Sequence, residues 1–315
     1  RRAFKAGRRR IFVEAIKRTR RVQWALYSML IPGILITAVY SYGPLVGLSI
    51  AFQRYNIAKG LFGSEWVGLD NIRYIFMLPD FGRVVFNTVY ISLMKMVFGF
   101  IFPILVAILL NEMYNERIKR VIQTFIYLPH FISWVIISGV MIDILSPSTG
   151  IINQIIKAFG MKPIFFLSNK DIFPYVVVAS DVWKNFGFGT IIYLAALTKI
   201  DLNLYEAAHI DGAGRFRRII HITLPGIMSV VVLCGTLTLG NVLNAGFDQI
   251  YNLYSPVVYE TGDIIDTLVY RIGMESSVPQ YDIATAIGLF KSVVSFALIS
   301  TTYWLAYKFA DYRIF

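Results

Sequence analysis

DLNLYEAAHIDGAGRFRRIIHITLP, residues 201–225, is the stretch on which the reading of this chain turns. It is polar and basic, and it joins two long apolar runs. Asp201 or Asn203 can cap a short helix, and Glu206 follows Asn203 at the spacing of a capping box. Ala207 and Ala208 give that helix a surface without bulk, which another backbone can approach closely. Gly212 and Gly214 break the helix and permit a sharp turn. A second helix is expected near Arg215, with Pro225 marking entry into the next apolar run. The pattern predicts a helix–turn–helix knob held against a membrane.

The rest of the composition agrees with a membrane setting. Of 315 residues, 57% are hydrophobic and 16% are charged, whereas soluble domains carry about 25% charge. Disorder, a collagen-like fibre and a disulfide scaffold are excluded, the last because Cys234 stands alone. The net charge of +11 invites a nucleic-acid reading. Its placement argues otherwise, since ten Lys and Arg fall within residues 1–21, directly ahead of an uncharged stretch from Val22 to Gln53. A basic segment there is a topology signal and a contact for anionic lipid headgroups. A nucleic-acid arm would need a binding module beside it, and none is read. The stretch is too long for the core of a cleaved signal peptide. Residues 1–22 are therefore expected to be a basic cytoplasmic tail, and residues 23–315 a transmembrane domain.

Six candidate spans follow, at about 20 residues per crossing: Trp24–Phe52, Val84–Asn111, Val121–Ser146, Ile172–Thr198, Thr223–Ile250 and Ile283–Lys308. The fold class is all-α and integral to the membrane. Lys and Arg number eighteen in the termini and the connectors after spans two and four, against eight in the other three connectors. Both termini and the 201–225 loop are thus expected in the cytoplasm. On the other side, Trp66–Phe76 is expected to form an amphipathic interfacial helix starting near Asp70 or Asn71, and Ser148–Gly160 another short helix.

Chemistry of other classes is missing from the chain. Gly-Lys occurs nowhere, so there is no phosphate-binding loop and no expected ATP hydrolysis on this chain. His130, His209 and His221 lack metal-ligand spacing, and no metal or cofactor is expected. Gly187-Phe188-Gly189 is read as close helix packing. A convergent set of acid, base or metal groups at one depth cannot be assembled.

The gapped pattern of the opening stretch, E-A-A, three residues, G, nine residues, I-x-L-P, resembles the signature loop of membrane subunits of ABC importers. It is matched at Glu206, Ala207, Ala208, Gly212, Ile222, Leu224 and Pro225. Tyr127–Trp134, Asp181–Gly187 and Phe247–Leu253 resemble the carbohydrate importer permeases similar to the maltose transporter's membrane subunits. Within these they resemble the lipoprotein-associated polysaccharide group that includes alginate-oligosaccharide permeases. The resemblance implies a subunit of the inner, or cytoplasmic, membrane that pairs with a second permease. It implies two ATPase subunits carrying ATP and Mg, and a solute-binding protein that delivers an oligosaccharide. It also implies that Glu206, Ala207, Ala208, Asp211, Gly212, Arg215 and Arg218 couple the chain to the ATPases. An ion-coupled secondary transporter or channel is the alternative class, and it would show repeat symmetry within the chain.

For the sugar path, polar groups inside spans are expensive in lipid and should face a pore or another helix. Trp183 falls about 15 Å into its span at 1.5 Å per residue, beside Lys184 and Asn185. Asn241, Asn244 and Asp248 recur at helical spacing along one face of the fifth span. Interhelical hydrogen bonding and pore lining are both open readings for these residues. Lys95 or Lys184 would suit an acidic sugar, and Lys184 pairing with Asp181 is the structural alternative.

Overall fold

The computed structural model describes Trp24 and residues 27–239 and 242–310. The basic tail and Asn241 lie outside the described residues. The chain folds into long helices joined by short ones: α1 (Tyr27–Phe52), α2 (Asp70–Ile75), α3 (Phe81–Asn111), α4 (Glu116–Tyr127), α5 (Trp134–Leu145), α6 (Ile151–Ala158), α7 (Phe173–Leu197), α8 (Leu202–Ile210), α9 (Arg215–Leu239), α10 (Phe247–Leu253), α11 (Ile265–Tyr270) and α12 (Tyr281–Ala310). A two-residue hairpin pairs β1 (Gln53–Arg54) with β2 (Glu65–Trp66), Gln53 opposite Trp66.

α1 changes its winding where Pro44 enters. Proline lacks an N–H and clashes with the carbonyl four residues back. The helix accordingly opens into a π-turn at Ala38–Tyr42 and tightens to 3-10 winding over Gly43–Phe52. Its apolar side chains, Leu30, Ile34, Leu35 and Val39 among them, are exposed, and only its far end joins a core. A helix apolar all round needs lipid or another chain beside it.

Four helices are long and apolar enough to cross a membrane (α1, α3, α9 and α12), and α4 with α5 makes a fifth if that bent pair is one span. α7 is long enough to cross as well, at 25 residues, but Asp181 and Lys184 lower its apolar character. Two expected spans are not continuous helices. Val121–Ser146 breaks after the 3-10 turn Leu128–Phe131, and its halves meet at 107°. The reason is local: Pro129 interrupts the ladder, and Ser133 starts a new helix by accepting a hydrogen bond from the Ile136 N–H at 3.4 Å. Thr223–Ile250 also stops early. α9 ends at Leu239, and a turn with Gly246 at φ +87° leads into α10. The expected Trp66–Phe76 helix is shorter than its pattern, because Trp66 joins the hairpin and Gly68 turns the chain at φ +62°. α6 falls within the expected Ser148–Gly160 stretch.

Three buried clusters hold the bundle. One gathers Ala51, Ile75, Val84, Ile265 and Ile287 where α1, α2, α3, α11 and α12 meet. A second packs Ile91 and Val177 against Ala245 and Ile250. The third, Ala107, Tyr193, Leu197 and Ile227, joins the opposite ends of α3 and α7 to α9. Close approach along α7 relies on glycine: a Cβ at Gly187 would overlap the Ile126 carbonyl, and one at Gly189 would lie 3.0 Å from Pro103 Cγ.

Candidate functional site

The knob forms as a capped helix and a forced turn. Asp201 is the N-cap, its carboxylate accepting the Asn203 N–H at 3.0 Å. Glu206 lies within α8, so the capping-box role expected from its spacing is not taken up. At the other end, the Ala213 N–H donates to the Ala208 carbonyl at 2.9 Å and the Gly212 N–H to His209 at 3.0 Å. Gly212 stands between them at φ +74°. This is the Schellman arrangement, which favours glycine because a side chain is strained there.

α9 then begins just after its N-cap Gly214 and carries the arginines. The Arg215 guanidinium donates to the Tyr114 hydroxyl at 3.1 Å and lies 5.2 Å from its ring centroid, tying the knob to the α3–α4 connector. Pro225 is accommodated by a π-turn at Ile219–Thr223. Tyr205 and Thr223 hydroxyls meet at 3.0 Å, fixing α8 against the foot of α9. Arg218 is half-buried. No residue of α8 is buried. Ala207 and Asp211 are exposed, and Leu202, Leu204, Ile210 and Phe216 are large apolar groups left in the open around them. A nine-residue helix with no buried face is not stable alone in water, so this surface needs a neighbour.

The buried lysines of α3 and α7 each form a clasp. In the first, Lys95 of α3 donates to the Ala245 carbonyl at 2.6 Å and to Gln249 Oε1, with Asp181 Oδ1 at 3.6 Å. Gln249 is fully buried and gives its amide to the Val177 carbonyl and Ser180 Oγ, each at 2.7 Å. In the second, Lys184 of α7 donates to the carbonyls of Pro129, His130 and Ile132 at 3.2, 2.8 and 2.8 Å. Each buried lysine therefore satisfies backbone oxygens freed where a span is broken. Non-helical backbone at membrane depth needs such partners. Asp181 pairs with Lys95 rather than Lys184. Asn185 bridges the clasps, donating to Asp181 at 3.4 Å and meeting His130 Nδ1 at 3.1 Å. The His130 ring stacks on Phe188 at 4.0 Å.

The remaining expected path residues are open. Trp183 is 47% exposed and lines an apolar groove of about 740 Å3 between α3 and α7, with Phe98 and Phe102 opposite. Asn244 and Asp248 are exposed, but the break places Asn244 in a turn and Asp248 in the first turn of α10 rather than on one continuous face. Gln249 escaped the sequence reading. Its signal was an amide beside the apolar Ile250 and one residue after Asp248, overshadowed by the asparagines before it. Among the described residues no three His, Cys, Asp or Glu side chains are placed to hold a metal ion.

Residues 99–311 match the model of the family described as binding-protein-dependent transport system inner membrane component. The chain belongs to that family. The matched region takes in the second half of α3, all of α7 with the Lys184 clasp, and the knob, and Lys95 lies just ahead of it. This inner membrane component is 42% identical to protein LplB of Bacillus subtilis (strain 168), over 98% of this chain and 96% of that one. It is 39% identical to the polygalacturonan/rhamnogalacturonan transport system permease protein YteP of the same organism, over 99% and 95%. Among solved structures it resembles a chain of a bacterial ABC transporter involved in the import of the acidic polysaccharide alginate. That likeness has a TM-score of 0.83 and 37% identity, over 92% of this chain and 97% of that one. A second structure, of a bacterial alginate ABC transporter with an alginate pentasaccharide-bound periplasmic protein, aligns at TM-score 0.82 and 38% identity, over 91% and 96%. As a member of this family the chain is a multi-pass transport permease subunit of the inner membrane, not an enzyme.

Proposed function

We propose that this permease subunit imports oligosaccharides, and that ATP hydrolysis on separate subunits drives it through the 201–225 knob. The observation that carries the reading is the knob itself. A Schellman turn at Gly212 presents a small-residue helix ringed by four exposed apolar side chains, a shape suited to a cleft in another protein. Glu206, Asp211, Arg215 and Arg218 supply polar contacts there, and Ala207 and Ala208 supply fit. ATP and Mg would sit on those partner subunits. A second permease would complete the pore, and a solute-binding protein would deliver the sugar, as the alginate transporter's periplasmic protein carries its pentasaccharide.

Six crossings with both termini and the knob in the cytoplasm remain our reading of the topology, with 1–22 as its tail and 23–315 as its transmembrane domain. The connectors support it by the company they keep. Tyr114, after the second crossing, meets Arg215, after the fourth. The other three connectors meet each other: Tyr55 N–H donates to Asp282 at 3.4 Å, and Lys170 pairs with Glu260 at 2.9 Å.

Along the sugar path we place the exposed Trp183, Asn244 and Asp248 at the substrate, with Asn241 preceding them. Lys95, Lys184 and Asn185 stand behind as supports. With both ammonium groups engaged, an acidic cargo such as an alginate oligosaccharide would meet its cations on the second permease. Reconstitution tests the function. Uptake of oligosaccharide into liposomes should require the second permease, the ATPases, ATP and the binding protein together. Uptake by this chain alone, driven by an ion gradient, would favour the secondary-transporter reading instead.

A further inference from the structure

Beyond the path residues, α10 and α11 bring three aromatic rings into one cluster. Phe247 and Tyr251 stack at 5.3 Å with an 18° tilt. Tyr270 stands against both, 5.4 Å from Phe247 and 4.9 Å from Tyr251. All three spacings lie within the range of aromatic contact. The rings are only half-buried, so the cluster keeps open surface. It begins within the segment that carries Asn244 and Asp248, which makes it an outward continuation of the path.

Polar groups frame the rings. The Tyr251 hydroxyl donates to Glu275 Oε1 at 2.9 Å. Glu275 closes a π-turn, Arg271–Glu275, of the kind that recurs at functional sites. It also lines a cavity of about 430 Å3 with Arg271, Ser276 and Gln280, a size within the range of small-ligand sites. Among the described residues the Ser276 hydroxyl and the Gln280 amide make no hydrogen bond, although their backbone N–H groups are held by Arg271 and Ile272 carbonyls at 3.0 and 3.1 Å. Anchored backbone with free side-chain donors is the arrangement a hydroxyl-rich ligand requires.

Charge narrows the ligand. The cation that lines the cavity, Arg271, is paired with Asp263 at 2.5 Å, so its charge is balanced there, although among the described residues its Nη1 is left without a hydrogen-bond partner. Asp248 and Glu275 remain as exposed carboxylates. A carboxylate-bearing sugar unit would meet like charge here. An uncharged pyranose offers an apolar face to the rings and hydroxyls to Glu275, Ser276 and Gln280.

We propose that Phe247, Tyr251 and Tyr270, framed by Glu275, form an outer-mouth subsite that takes an uncharged pyranose unit of the incoming oligosaccharide. The proposal rests on the importer reading above. Its test uses the complete complex in liposomes with galactotriose and trigalacturonate, a pair that differ by oxidation at C6, each presented by the binding protein. Tyr270→Ala should raise the KM for galactotriose about threefold to tenfold with kcat little changed, the range of one aromatic contact. Tyr270→Trp should restore it. Glu275→Gln should lower the KM for trigalacturonate relative to galactotriose. If the native complex transports either sugar but neither variant moves its KM, the subsite is overturned and the importer reading stands. If an alginate oligosaccharide stimulates ATP hydrolysis in the native complex and neither of these sugars does, the subsite is overturned and the importer reading stands; if no oligosaccharide does, both fall.

Discussion

Lys95 Nζ lies 2.6 Å from the Ala245 carbonyl oxygen, so a lysine on α3 holds the backbone where α9 gives way to α10. Asp181 and Gln249 complete its surroundings. The pair joins residues 150 positions apart and makes the break in the last-but-one crossing a fixed feature. Removing one member of a buried charged set leaves the others uncompensated, at about 3–5 kcal/mol. Lys95→Met should therefore lower the thermal midpoint of the detergent-solubilised complex markedly. Lys95→Met with Asp181→Asn should recover part of that loss, as coupled residues do. Equal midpoints for Lys95→Met and the native protein would contradict the clasp.

Lys184 makes the matching prediction for the other break. Its three bonds to the Pro129, His130 and Ile132 carbonyls fix the angle between α4 and α5. Lys184→Met leaves those oxygens without a donor, each hydrogen bond from a charged group being worth about 1.5–3 kcal/mol. Hydrogen exchange should quicken at the start of α5, around residues 134–138. Unchanged protection there would assign Lys184 another role.

On the outer side, the exposed pair Lys170–Glu260 gives a pH dependence with a defined sign. Lys170 beside it holds the Glu260 carboxyl below the ordinary carboxylate value, and Glu260 holds the Lys170 ammonium above the ordinary lysine value. A lowered carboxylate contributes stability above its unfolded pKa and loses it as pH falls through the folded one. A raised lysine contributes below its unfolded pKa and loses it as pH rises through the folded one. The pair's contribution is thus flat near neutral pH, fading below the ordinary carboxylate value and above the ordinary lysine value. It is small because both groups are exposed. Glu260→Gln should remove the acid-side decline, read as the thermal midpoint against pH.

Topology can be read by labelling. In a Cys234→Ala background, cysteines at Asn203 and Ser277, both exposed, should react with an impermeant reagent from opposite sides of the membrane. Reaction of both from outside would refute the placement of the knob in the cytoplasm.

The knob was legible in the sequence because its determinants are local. Asp201, Gly212 and Gly214 specify a cap, a left-handed turn and a restart within fourteen residues, and the structure has all three. The broken spans were legible only in part: Pro129 and Ser133 mark the first break locally, but not the angle at which it is held. Hydropathy runs smoothly through residues 121–146 and 223–250, while the breaks are stabilised by lysines 50 or more residues away. No window along the chain contains both the carbonyl and its donor. For the same reason Lys95 and Lys184 read as path residues, when their ammonium groups are engaged by backbone. Asn244 and Asp248 lost their shared helical face to the turn at Gly246.

The central claim is that the 201–225 knob transmits ATP hydrolysis to the pore, and Gly212 is its most exacting position. Its φ of +74° strains any side chain by about 1–2 kcal/mol, and within this chain a Cβ there meets nothing within 4 Å. A bulky residue would thus disturb the turn and its docking rather than the fold of the spans. The decisive measurement is sugar uptake together with sugar-stimulated ATP hydrolysis by the reconstituted complex carrying Gly212→Val. The account predicts that both are lost together while the subunit still inserts in the membrane. Normal uptake with normal stimulated hydrolysis would contradict it.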